Sequence, residues 1–138
     1  MGYRRQSREM ALQALFFLDM NCSGDVDADV AAFCLENEAE LTPTVQPFFM
    51  ELVQGVMGAL DRIDPMLETY SRSWKVSRMP VVDRNIMRMA AFELLERPDI
   101  PPSVTINEAV DIAKKYSTGE SGPFVNGILD RIREAVGR

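Results

Sequence analysis

Three arginines, Arg4, Arg5 and Arg8, stand close together at the start of a chain of 138 residues. A guanidinium binds phosphate bidentately or stacks on an unpaired base, so this cluster has the chemistry of a nucleic-acid contact. The next stretch is acidic. Glu9 to Asp61 holds ten carboxylates and no Lys or Arg, whereas Arg62 to Arg138 carries twelve cations against eleven carboxylates. The net charge of −6 therefore averages two unlike parts. An acidic chain is a poor general binder of nucleic acid, because neutralising phosphate supplies most non-specific affinity. A small basic tip on an acidic body binds RNA or DNA weakly and with help.

Other chemistries are excluded or weakly supported. The chain has no histidine, which removes the commonest general base, the commonest zinc ligand and any Ser-His-Asp arrangement. No GxxxxGK[ST] occurs, no GxGxxG follows a strand-like run, and HExxH is impossible. Carboxylate pairs fall on solvated helix faces. An enzyme is not expected, and neither a metal nor a cofactor is implied. Cys22 and Cys34 are the only cysteines; they are read as reduced thiols, with Cys34 packed. No apolar run approaches the ~20 residues of a membrane span, and no small-residue cleavage site follows the arginines. The length and composition fit a single domain covering residues 1–138, soluble and cytoplasmic.

The apolar pattern that must position these groups is helical throughout. From Arg8 onward Ala11, Leu12, Ala14, Leu15 and Leu18 recur at spacings of three and four, giving a helix from about Arg4 to Met20. A short second helix carries Val30, Ala31, Phe33, Cys34 and Leu35. Thr42 reads as the N-cap of the next segment, with Phe48, Leu52, Val56, Ala59, Leu60 and Ile63 inside it. Pro65 marks a kink or a new helix. The stretch MPVVDRNIMRMAAFELLERPDIPP carries two apolar stripes, so its helix is expected to be central. Asp83, Arg84 and Arg88 fall within a ~140° arc, the one strip left for solvent or a partner. Thr105 and Glu108 have capping-box spacing at the start of another helix.

In SGPFVNGILDRIREAV, Asn-Gly is a hairpin signal. Val125, Ile128, Leu129, Ile132 and Val136 nevertheless keep helical spacing across it, and the longer pattern predicts a helix from about Pro123. Gly127 within it costs about 1 kcal/mol relative to alanine, which predicts close approach by a neighbouring helix. The result is an all-α, single-domain bundle of about seven helices.

Three segments then come together: RRQSREMALQALF, VDRNIMRMAAFELL and INEAVDIAKKYSTGESGPFVNGILDRI. They resemble the signature segments of the NusB family of transcription antitermination factors, and the likeness spans nearly the full chain. The last is the most specific, with an INEAV helix, a short polar loop and FVNG in order. The resemblance implies the all-helical NusB fold. It also implies binding of single-stranded boxA-type RNA together with the ribosomal small-subunit protein NusE, within an RNA polymerase antitermination complex that supports ribosomal RNA transcription. By the same resemblance Arg4, Arg5, Arg8, Tyr70, Glu120 and Phe124 are RNA-binding candidates, and Phe16, Asp83 and Arg84 are partner-binding candidates. Asn126 is read as structural.

Geometry sets a condition on the arginines. On a helical wheel with Arg4 at zero, Arg8 lies near ~40° and Arg5 near ~100°, while Leu15, Leu12 and Leu18 lie near ~20°, ~80° and ~−40°. The cationic and apolar stripes overlap. In a continuous helix the arginines must therefore overhang the core edge or occupy a frayed first turn. The residues alone leave open whether they are solvated terminal charge or an RNA edge; the resemblance favours RNA. With only three arginines, RNA affinity without the partner is expected to be low and salt-dependent. Two other readings stay open: a homodimeric or protein-binding helical scaffold, and an accessory RNA-binding domain in ribosomal RNA processing.

Overall fold

A computed structural model describes residues 2–21, 23–72 and 74–138, and Cys22 lies outside them. The described residues form seven α-helices: α1 (Tyr3–Asn21), α2 (Val26–Glu36), α3 (Gln46–Gly58), α4 (Leu60–Tyr70), α5 (Val81–Glu96), α6 (Pro102–Tyr116) and α7 (Ser121–Ala135). A 3₁₀ turn, Val76–Arg78, precedes α5, and the described residues contain no strand. Among them, no helix is long and apolar enough to cross a membrane. The chain divides into two compact units, Met1–Gln54 and Gly55–Arg138.

In the first unit, α1 packs on α2. Met10, Ala11, Leu12, Ala14, Leu15 and Leu18 form the buried stripe that their spacing predicts. Phe33 links the elements: its ring lies 6.0 Å from that of Phe17 and 5.9 Å, stacked, from that of Phe49. Asp25 caps α2, its carboxylate accepting from the Ala28 amide at 3.0 Å, and Asp27 and Asp29 in the first turn suit the helix dipole. The buried face of α2 is narrower than expected. Val30 and Phe33 are buried, Cys34 is half-buried, and Ala31 and Leu35 are exposed. Burial pushes the Cys34 thiol above its ordinary pKa. Thr42 accepts the Val45 amide at 3.4 Å in a turn that precedes α3, so it caps the turn and not the helix.

In the second unit α5, α6 and α7 pack on one another, and α4 packs on α5 and α7. The expected break at Pro65 falls earlier, at Ala59, and Pro65 lies inside α4. Pro65 is exposed, and its carbonyl accepts from the Thr69 hydroxyl at 2.9 Å. The central helix is α5, buried continuously from Asn85 to Leu94.

The open polar strip predicted for α5 is a correction, because Asp83 is 3% exposed, Arg88 is 8% exposed and Arg84 is half-buried. Each finds a partner inside the unit. Arg88 grips both oxygens of Asp64 at 2.8 Å and donates to Asn85 Oδ1 at 3.0 Å. Arg84 donates to the Val76 carbonyl at 3.2 Å. The capping box is corrected as well: α6 starts at Pro102, and Thr105 sits within it, buried, donating to Glu93 Oε1 at 3.0 Å. Proline at the first position suits a helix start because the missing N–H would have had no partner there.

The glycine that permits close packing is Gly55, not Gly127. A β-carbon on Gly55 would collide with the edge of the Phe92 ring, whereas one on Gly127 would meet only the tip of Arg131, at 3.8 Å. At the end of the chain Arg138 donates to the carbonyls of Leu94, Arg97, Pro98 and Ile100 at 2.9–3.3 Å, fastening the tail to the α5–α6 connector.

Candidate nucleic-acid and partner interface

The N-terminal arginines do not act alike. The first helix is continuous from Tyr3, and the expectation that all three overhang it holds for Arg4 but fails for Arg8. Arg4 is exposed, Arg5 half-buried and Arg8 only 3% exposed. The overlap of the cationic and apolar stripes is resolved by Phe48. Its ring lies under both guanidinium groups, 5.4 Å from that of Arg4 and 5.2 Å from that of Arg8. A cation over an aromatic face is attracted by the ring quadrupole, most strongly where water is excluded, as at Arg8. Ser7, fully buried between the two, has its hydroxyl 2.7 Å from the Val45 carbonyl and ties the first turn of α1 to the segment that enters α3. Phe16 is 43% exposed on the same helix, an accessible apolar group of the kind a protein partner covers.

In the second unit the segment leading into α5 and the start of α7 enclose a cleft of about 250 Å³. Asp83, Glu120 and Phe124, three of the residues singled out from sequence, line it together with Trp74, Pro80, Thr118 and Ser121. The Phe124 ring is half-buried and tilts against Trp74, with centroids 5.6 Å apart and an interplanar angle of 58°. Glu120 is exposed and occupies the N-cap position of α7, where its side chain makes no capping bond. Ser121, the first residue of α7, turns its hydroxyl to side chains instead: it donates to Asp83 Oδ2 at 2.9 Å and lies 2.8 Å from the Ser117 hydroxyl.

Tyr70 and Arg84 do not line this cleft. Tyr70 is half-buried at the end of α4, where its carbonyl accepts from Arg131 Nε at 2.8 Å. The backbone turns sharply beyond it, with Arg72 in the left-handed region at φ 58°. Asp83, expected on an open polar strip, lies buried against Ser121, and this corrects its expected exposure. The residue that sequence reasoning missed is Trp74. It is the chain's single tryptophan, half exposed beside Phe124, and its rarity was the only available signal.

These features define an all-helical protein with a cationic, aromatic-backed first helix and, separately, an aromatic and acidic cleft at the start of its last helix. The NusB family model matches residues 5–134, and the chain belongs to the NusB family. The transcription antitermination protein NusB of Desulforapulum autotrophicum is 53% identical over 133 residues, covering 96% of this chain and 92% of that protein. Among solved structures, NusB of T. maritima is 37% identical with a TM-score of 0.83, covering 95% of this chain and 90% of that one. The antitermination factor in a crystal structure of NusB and NusE with double-stranded RNA is 25% identical with a TM-score of 0.85, covering 98% of each chain. Family membership also sets the class of activity, which is transcription antitermination and not catalysis.

Proposed function

We propose that this protein is a cytoplasmic transcription antitermination factor that binds boxA-type single-stranded RNA as a heterodimer with the ribosomal protein NusE, supporting ribosomal RNA transcription on RNA polymerase. The observation that carries the proposal is the family match over nearly the whole chain, joined by the structural likeness to a NusB bound with NusE and RNA. In this reading Arg4 and Arg5 hold backbone phosphate at the tip of α1, and Arg8 holds Phe48 and the first turn in place beneath them. An arginine at a helix N-terminus is opposed by the dipole by about 0.3 to 1 kcal/mol, and a phosphate relieves that conflict. Tyr70, Glu120 and Phe124 supply stacking and base-edge contacts, the means by which single strands are read.

For the partner, the exposed Phe16 offers an apolar anchor. The excess of carboxylates between Glu9 and Asp61 steers a basic ribosomal protein toward that part of the chain. Arg84, half-buried and bonded to Val76, supports the start of α5, a second partner-facing element in this reading. The test is a competition assay on the complex with NusE, using labelled boxA RNA against unlabelled boxA and a scrambled strand of equal length. Displacement by boxA alone supports the reading; equal displacement by the scrambled strand removes boxA specificity from it.

A further inference from the structure

A second cavity, of about 420 Å³, lies between the N-terminal part of α6 and the middle and end of α7. Two asparagines line it, Asn107 on α6 and Asn126 on α7. Both are exposed, and among the described residues neither side chain makes a hydrogen bond within the protein. The sequence reading makes Asn126 structural, but nothing inside the fold uses its amide. Asparagine is a poor helix former, because its side chain competes with the backbone for hydrogen bonds, and both residues sit in helix interiors. Gly127, a still poorer one, follows Asn126, and a β-carbon there would meet only the tip of Arg131, at 3.8 Å. Two adjacent residues thus weaken α7 with no return from its own packing, which points to a contact outside the chain.

The charges around this cavity are already answered. Arg133 donates to Asp130 Oδ1 from Nε at 3.0 Å and from Nη2 at 2.7 Å, and Arg138 donates to four backbone carbonyls. A phosphate strand therefore meets two engaged guanidinium groups, not the open cations that carry nucleic-acid affinity. What stays open is two neutral carboxamides, each both donor and acceptor, and the Ser103 hydroxyl, over an apolar floor of Pro102 and Ile106. That set is complementary to a peptide group, which offers one N–H and one C=O. From Asn126 to Arg133 the helix rises ~10 Å, the length of about three extended residues. Asn126 also lies ~160° around α7 from Phe124, at ~100° per residue, so the cavity and the Trp74–Phe124 cleft face opposite sides of that helix.

We infer that this cavity docks an extended, uncharged polypeptide segment of a protein of the antitermination complex other than NusE. Asn107 and Asn126 hold the backbone of that segment, and Pro102 and Ile106 seat one of its aliphatic side chains. The inference rests on the antitermination reading above and adds to it an interaction surface that a ligand at the cleft leaves open. A second copy of this chain and an RNA strand are the competing occupants.

The test is transcription through a terminator on a boxA template, with RNA polymerase, NusE and the other proteins of the complex at limiting concentration. Ser103→p-benzoylphenylalanine places a photocrosslinker at the exposed rim, and irradiation of the assembled complex is expected to join it to a protein other than NusE. The double variant Asn107→Ala/Asn126→Ala is expected to lower both that crosslink and terminator readthrough by about tenfold, the effect of losing one or two hydrogen bonds. Its complex with NusE is expected to bind boxA RNA within about twofold of wild type, because both asparagines lie away from the cleft. Circular dichroism melts are expected to be no lower than wild type, since alanine is the better helix former and no internal bond is removed.

Full readthrough by the folded double variant, with wild type active, overturns the docking inference and leaves the antitermination reading standing. A crosslink to RNA, to NusE or to a second copy of this chain assigns the cavity to that occupant and overturns the inference, as does the absence of any crosslink. Failure of wild type to support boxA-dependent readthrough overturns the antitermination reading and the inference with it.

Discussion

The guanidinium of Arg8 lies 5.2 Å from the centroid of Phe48 and is almost wholly buried, while that of Arg4 lies 5.4 Å from the same ring and is exposed. One aromatic ring thus divides the N-terminal arginines into a structural group and a presented one. Arg8→Ala is expected to lower unfolding stability by about 2 kcal/mol, because it removes a desolvated cation–π contact and the packing of a long buried side chain. Arg4→Ala is expected to change stability by less than about 0.5 kcal/mol. Urea denaturation of the two variants measures the difference.

Arg4→Ala and Arg5→Ala are instead expected to weaken RNA binding by the NusE complex. Each should lower the steepness with which affinity falls on raising salt by about one phosphate contact. Affinity measured at several salt concentrations gives both quantities. An unchanged salt slope would return these arginines to solvated terminal charge.

Gly55 and Gly127 exchange the roles that sequence alone assigned. Gly55→Ala places a β-carbon into the Phe92 ring, so despite a gain in helix propensity of about 1 kcal/mol it is expected to be destabilising by about 1 to 2 kcal/mol. Gly127→Ala meets only a flexible arginine tip and is expected to be neutral or stabilising by up to about 1 kcal/mol. Thermal melts should place Gly55→Ala below wild type and Gly127→Ala at or above it.

Arg88 engages Asp64 through two parallel bonds and Asn85 through a third. Lysine cannot reproduce that planar fork, so Arg88→Lys is expected to cost about 2 kcal/mol and Arg88→Ala about 3 kcal/mol, the range for breaking a largely buried pair. Equilibrium unfolding should rank wild type above Lys above Ala.

Cys34 is held above the ordinary thiol range by burial. The thiolate is the reactive form, so at neutral pH its population is reduced below that of a free cysteine. In a Cys22→Ser background, alkylation by iodoacetamide is expected to be slower than that of a free thiol at pH 7. The difference should narrow as the pH rises through the Cys34 titration.

The seven helices were legible because a repeat of 3.6 residues needs no knowledge of neighbours: Leu12, Leu15 and Leu18 identify their helix wherever it packs. The same wheel failed for Asp83, Arg84 and Arg88. It gives the direction of a side chain but not whether another helix lies there, and α5 is surrounded on sides where Asp64 and Ser121 answer its polar groups. Thr105 and Glu108 had the spacing of a cap but lie inside a helix already started by Pro102. Of the cleft, Glu120 and Phe124 were accessible through family resemblance. Trp74 was not, because it comes from a connector 46 residues before Glu120 and only folding brings it to Phe124.

The central claim is that this protein, with a small cationic edge on its first helix, supplies one half of an RNA site and is adequate only when NusE supplies the other. The direct measurement is a titration of labelled boxA RNA with this protein alone and with its NusE complex, at the same salt concentration. The complex is expected to bind at least about tenfold more tightly, with binding by the isolated protein largely abolished as salt is raised. Equal affinity with and without NusE would contradict the account.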